Sequence, residues 1–416
     1  MSKNRSIGMV ILIFIIFFVI SLLTNIINAV LPQVKDSYSL THGMAGLLPL
    51  AFFIAYGFMS IPSGMLVKVL NRKVMLAGPF ALAFIAALTF GFFPKFPVYL
   101  VSLFSIGAGM AMLQVVINPV LRAAGGEEHF AANSITAQMF FSGAGYVGPQ
   151  LYSYLVTNLE KPAVEHDFFI SLIAKVTPGD LSWISIYWVF AVITGLMVIV
   201  LSLLKIPEIE LQEDEEVGAW DVHKKMFKNK TVLLYFIGIF CYVGTESGVG
   251  NWVSEFLRVY HNVDPKTLGA DIVAYVWLFF AIGCLIGIGV LKVFRSKHVL
   301  LGTTVMALIS LTLGLFGPLS VAKIAFPAVG FFFSAMWPVI FSLALNSMPT
   351  EHGTFSGILC TGIAGGAIIP AIIGGMADMI GLRFGMMLLY VTLIYILSIG
   401  FWAKPLVENK TIRDND

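Results

Sequence analysis

Twelve stretches of this chain run for about 20 residues or more with hardly a charge, separated by short polar breaks. They fall at approximately 7–31, 43–67, 74–94, 97–124, 131–158, 182–204, 231–260, 268–291, 298–317, 320–346, 353–380 and 384–403. A helix rises about 1.5 Å per residue, so about 20 residues cross a hydrocarbon core roughly 30 Å thick. The pattern predicts an all-α integral membrane protein with twelve transmembrane helices. The longest interior break, Pro207 to Lys230, carries the acidic run Glu213 to Glu216 and divides six spans from six. Two six-helix bundles are therefore expected, 1–206 and 231–416, joined by a linker at 207–230. The end of the eighth span, GCLIGIGVLKVFRSK, repeats the small-then-basic pattern that follows the second. The break at 159–181 contains a short apolar piece, FFISLIA, expected to form an interfacial helix.

Polar residues inside the spans recur at helical spacing. Asn25 and Asn28 are three apart on the first span, and Gln114 and Asn118 four apart on the fourth, with Pro119 ready to kink it. Ser134, Gln138 and Ser142 recur every four residues on the fifth, near Gly143, Gly145 and Gly148, which allow close helix approach. Tyr56, Ser60 and Ser63 make a similar stripe on the second. Amides in hydrocarbon need partners. Either these faces are glue between helices, or they line a shared polar cavity, which the amides on three spans together favour.

Composition changes the picture only by excluding alternatives. With 58% hydrophobic residues, 12% charged residues and a mean hydropathy of +0.91, a soluble fold is ruled out. Of 25 Lys and Arg, 17 fall on one side of the twelve spans and 8 on the other, so the positive-inside rule makes both termini cytoplasmic. Ser2 to Ser6 and the run after them have the charge order of a signal peptide, but the run is too long and lacks a small-residue cleavage site, so it is expected to stay as the first span. Cys241, Cys284 and Cys360 all lie in spans, where a thiol acts as a small apolar group. No His, Cys or Asp constellation suggests an enzyme or a cofactor, and no basic stripe suggests nucleic acid.

One stretch carries the candidate chemistry. In FCYVGTESGVGNWVSEF, Phe240 to Phe256, Glu246 lies in the interior of a span, with Gly244, Gly248 and Gly250 around it. A carboxylate there is costly unless it is paired, protonated or facing water, so it is a functional candidate by default. The glycines allow the helix to loosen, or a partner or ligand to approach closely. Of the other acids, Glu255 and Asp271 touch spans at the expected edges of the loop after the seventh, and Asp378 lies near the end of the eleventh. With no Lys or Arg deep in the bundle, Glu246 must be neutral, hydrated or bound to a cation for part of its cycle.

Together these features resemble the major facilitator superfamily, and within it the fucose permease-like group of fucose–proton symporters and bacterial glucose/galactose transporters. The stretches that carry the likeness are NAVLPQ at Asn28 to Gln33, INPVL at Ile117 to Leu121, ITAQMFFS at Ile135 to Ser142, FCYVGTE at Phe240 to Glu246 and WPVIFSLALN at Trp337 to Asn346. The resemblance implies a monomer in the bacterial inner membrane that moves a monosaccharide held near the midplane, with Gln138 at the place of a sugar-contacting glutamine. It also shows departures: Lys68 replaces a loop Asp, Phe141 replaces an Asn, and Asn28 and Gln114 stand where the symporters carry titratable acids. Asn25, Asn28, Gln114, Asn118, Gln138, Ser142, Asn251 and Trp337 form the candidate substrate set, with amides for hydroxyls and an indole as apolar platform. Glu246 is the candidate coupling site, by titration or by joining neutral oxygens around sodium. Cation-coupled symport, uncoupled uniport or exchange, and export of another small solute stay open at this point.

Overall fold

The computed structural model describes residues 7–66, 70–125, 130–204 and 220–406. Lys68, Glu213 to Glu216, Ser2 to Ser6 and the linker residues 207–219 lie outside that set. The chain runs through α1 (Ile7–Ser37), α2 (His42–Ala45), α3 (Leu47–Leu66), α4 (Arg72–Phe92), α5 (Phe96–Gly125), α6 (Phe130–Leu159), α7 (Phe168–Ala174) and α8 (Ser185–Leu203). After the undescribed stretch come α9 (Trp220–Phe227), α10 (Lys230–His261), α11 (Leu268–Val293), α12 (Ser296–Phe316), α13 (Leu319–Phe333), α14 (Met336–Leu345), α15 (His352–Thr361), α16 (Gly365–Ile380), α17 (Leu382–Met386) and α18 (Leu388–Trp402). The end of the expected linker is thus itself helical, as α9.

Among the described residues, eleven helical stretches are long and apolar enough to cross a membrane. The fifth expected span is a helix too, α6, but Gln138, Ser142, Gln150 and Ser153 make it more polar, and it is not among the eleven. FFISLIA forms α7 from Phe168 to Ala174, capped by Asp167. Ile170 and Ile173 are buried while Phe168 and Leu172 are exposed, so α7 packs by one face only. Val192, Leu196, Ile199 and Leu203 of α8 are exposed at helical spacing, an apolar stripe suited to acyl chains.

Two expected spans are broken. The tenth divides into α13 and α14 at Ser334 and Ala335, just before Pro338, whose missing amide hydrogen cannot serve a helix. The eleventh divides into α15 and α16 around a tight turn at Gly362–Ala364. There a Cβ on Gly365 would lie 2.0 Å from the Phe240 carbonyl oxygen of α10, so only glycine permits that approach.

Helices before residue 205 pack chiefly on one another, as α3 on α5, α1 on α6 and α4 on both α5 and α8. Those after residue 219 do likewise, as α11 and α12 on α13 and α10 on α16. Contacts between the groups run through α1 on α10, α6 on α11 and α3 on α15 and α16.

Candidate functional site

α1 and α10 lie side by side, and three contacts fix their register. Lys35 meets Glu255 (220 apart in sequence), Asp36 meets Arg258 (222 apart), and Asn28 meets Gly250. A near-constant offset means the two helices run parallel. Subtracting 222 from 246 puts Glu246 level with Thr24 and Asn25. At Gly250 a Cβ would come 2.9 Å from the Asn28 side-chain nitrogen, so glycine makes room for that amide. Glu246 stands one turn before Gly250, on the same face of α10. Asn25, buried on α1 at about this level, donates to the Ser21 hydroxyl at 2.9 Å.

Glu246 is half-buried, and among the described residues it makes no ion pair. Its partner is Tyr242, one turn earlier, whose hydroxyl donates to Oε1 at 3.0 Å and also reaches the Phe333 carbonyl at 3.3 Å. The Tyr242 ring lies 6.0 Å from Trp337, which stacks at 5.8 Å on Phe341. Trp337 thus joins Glu246 through Tyr242, a residue the sequence reading passed over. The signal was there, since an aromatic hydroxyl four residues from an acid within a span shares its face.

The other members of the set are spread more widely. Gln114 and Gln138 are half-buried on α5 and α6, and the Ser142 hydroxyl donates to the Gln138 carbonyl at 2.9 Å. The Asn118 side chain lies outside the described set. Asn251 is five residues from Glu246, about 140° round the helix at about 100° per residue. It donates to Ser247 O at 2.6 Å, and its own Oδ1 has no partner among the described residues. Phe141, at the place of the family's Asn, meets the Trp277 ring at 6.1 Å.

Of the two uses expected of the glycines, close approach is the one seen: α10 is continuous from Lys230 to His261, and Gly244 admits Ile369, Gly248 admits Leu389, and Gly250 admits Asn28. Glu255, expected at a loop edge, has a fully buried side chain within a charged cluster. It takes Lys35 Nζ at 2.7 Å and Arg258 Nε at 2.8 Å, with His42 at 3.5 Å. The cluster extends through Arg258 to Asp36, and through His42 to Asp378, which also accepts the backbone N–H groups of His42 at 2.7 Å and Gly43 at 2.6 Å. Nearby, Gln150 donates to Asp271 and Lys266 pairs with Glu160. Sequence position put these charges at or near the ends of spans and gave no hint that span ends from distant parts of the chain would interlock.

Two packed groups of helices, with eleven stretches among the described residues long and apolar enough to cross a membrane, define a multi-pass membrane protein. Residues 13–371 match the Major Facilitator Superfamily, and the chain belongs to it. It is 28% identical over 395 residues to a glucose/galactose transporter of Brucella abortus, covering 93% of this chain and 92% of that one. It is 26% identical over 389 residues to an L-fucose-proton symporter of Escherichia coli, covering 88% and 86%. A crystal structure of the Escherichia coli fucose:proton symporter superposes with a TM-score of 0.70 at 22% identity, covering 97% of this chain and 100% of that one. An inward-facing bacterial homolog of the human lysosomal transporter Spinster superposes with a TM-score of 0.76 at 15% identity, covering 97% of each. This places the chain in the fucose permease-like group, among transporters and not enzymes.

Proposed function

We propose that this protein is a secondary transporter of a monosaccharide that works by alternating access, driven by symport of a proton or sodium, with Glu246 as the coupling carboxylate. The observation that carries the reading is Glu246 itself, an acid in the middle of a spanning helix whose partner is a neutral hydroxyl. Such a group is neutralised by whatever cation can reach it. Asn25 and Asn28, on the neighbouring stretch of α1, are neutral oxygens suited to help hold sodium. The relatives named for glucose, galactose and fucose transport support a sugar as cargo. Asn25, Asn28, Gln114, Asn118, Gln138, Ser142 and Asn251 supply polar partners for its hydroxyls, and Trp337 supplies the apolar platform.

In this reading 1–206 and 231–416 are two six-helix bundles that rock about the site, both termini face the cytoplasm of a bacterial inner membrane, and the monomer is the working unit. The Glu255 cluster lies at the end that the charge count assigns to the outside, so the described conformation is closed there. Transport without an ion is the second reading, favoured by Asn28 and Gln114, which cannot titrate near neutral pH.

The test is uptake of labelled sugar into proteoliposomes under a sodium gradient, a proton gradient or neither. Glu246→Gln is expected to exchange labelled for unlabelled sugar yet fail to concentrate it under either gradient. Wild-type accumulation by the variant overturns the coupling role.

A further inference from the structure

We infer that Tyr242 is a positioning residue that passes the charge state of Glu246 to the break between α13 and α14, beside Trp337. The inference rests on the coupling role proposed for Glu246. A tyrosine hydroxyl has one proton to give, and Tyr242 holds it between two acceptors, Glu246 Oε1 at 3.0 Å and the Phe333 carbonyl oxygen at 3.3 Å. Hydrogen bonds to an ionised acceptor are roughly twice as strong as those between neutral groups. While Glu246 is charged, the proton belongs to it. A proton or metal cation on Glu246 removes that advantage, and the hydroxyl turns to Phe333.

The Phe333 carbonyl is a consequential place for that bond to go. Phe333 is the last residue of α13, and the chain leaves the helix at Ser334 and Ala335 before α14 begins at Met336. Because Pro338 has no amide hydrogen, the Ser334 carbonyl lacks its helical partner four residues on. It faces the Cys284 thiol of α11 instead, at 3.9 Å, and the Ser334 hydroxyl turns back to the Phe331 carbonyl at 2.7 Å. Side chains therefore serve the carbonyls of this break, and Tyr242 is the one among them that also touches the coupling acid. Among the described residues, Cys284 is the other titratable group facing this point from a packed element. The Tyr242 ring lies 6.3 Å from Phe333 and 6.0 Å from Trp337, so a shift of the hydroxyl bears on both sides of the break. A change in how the Phe333 carbonyl is held alters the angle at which α14 presents the indole. Cation occupancy at Glu246 and the shape of the sugar platform are joined through one proton.

The test is a double-mutant cycle read by amide hydrogen exchange over residues 331–341 of the purified full-length protein at one pH, with Glu246→Gln standing in for the neutralised acid. With Tyr242 in place, Glu246→Gln should change exchange at the break by about threefold or more. In the Tyr242→Phe background the same substitution should change it by less than about 1.5-fold, since coupled residues lose their interaction when either is removed. Equal responses in the two backgrounds overturn the inference. In proteoliposomes, Tyr242→Phe alone should lower ion-driven accumulation by about tenfold and sugar exchange by clearly less; equal losses of exchange and accumulation would mark a merely structural tyrosine and overturn the inference. Should Glu246→Gln accumulate sugar normally, the coupling role of Glu246 falls, while the exchange cycle still decides whether Tyr242 links the acid to the break.

Discussion

Glu255 and Glu246 stand on the same helix, both withdrawn from bulk water, and their surroundings are opposites. Glu255 is fully buried, yet it is met by Lys35 and Arg258 with His42 close by. Glu246 has a tyrosine hydroxyl and no ion pair among the described residues. A buried charge that keeps its countercharges is fixed by them, and its removal leaves them stranded. A charge with one neutral donor is free to change state. The same residue type therefore makes a lock at one level of α10 and a candidate switch two to three turns below. The lock is also built to open. Arg258 already holds Glu255 from the same helix, and Lys35 is adjacent in sequence to Asp36, so each helix keeps one cation and one acid if α1 and α10 part.

The largest expected effect comes from removing the paired acid. Glu255→Ala strands Lys35 and Arg258, which are only 14% and 26% exposed. Breaking a buried pair costs about 3–5 kcal/mol, and partial exposure together with the remaining Asp36 contact brings the expectation to about 2–3 kcal/mol. Glu246→Gln keeps the shape and weakens one hydrogen bond, for about 1 kcal/mol or less. Thermal unfolding of the two purified variants in one detergent checks the difference. Equal shifts would erase the distinction between lock and switch.

A smaller effect tests how the cluster is shared. Asp36 is 60% exposed, so its bond to Arg258 is screened by water where the Lys35–Glu255 bond is not. A double-mutant cycle of Arg258→Ala with Asp36→Ala should give a coupling of about 0.5–1 kcal/mol. The Lys35→Ala and Glu255→Ala cycle should exceed it, and the reverse order would show that burial does not set the strength here.

The sequence made the spans and the lone acid legible because both depend on local composition. About 20 apolar residues are a span wherever they occur, and Glu246 is conspicuous because everything around it is apolar or small. The break before Pro338 has an equally local cause, the missing amide hydrogen. What stayed hidden depends on tertiary register. Nothing local to Lys35 or Glu255 says that they meet, and charges near span ends read one by one look solvated. The glycines around Glu246 were likewise ambiguous until Ile369, Leu389 and Asn28 filled their faces. Tyr242 was overlooked for another reason: in a chain with 35 Phe and 13 Tyr, one more aromatic on a span carries little signal until its hydroxyl is placed.

The smallest expected effect extends the comparison to an acid in water. Asp167 caps α7 by accepting the Ile170 amide at 2.8 Å, and it also takes the Tyr154 hydroxyl. The backbone bond first, and the tyrosine after it, hold its carboxyl below the ordinary value of 3.8. A carboxylate lowered in the folded state adds stability above its unfolded pKa, and that stability is lost as pH falls through the folded value. Between pH 7 and pH 5 Asp167 stays charged and α7 should not change. Below about pH 4, where an unfolded Asp takes up its proton, the cap should begin to weaken, and it should be lost as pH falls further. Amide exchange over 168–174, corrected for the intrinsic chemical rate, should therefore be flat from pH 7 to 5 and quicken below. Asp167→Ala should exchange faster throughout and lose the step. A step that survives the substitution would assign it to another group, and no step at all would mean that the cap does not hold α7.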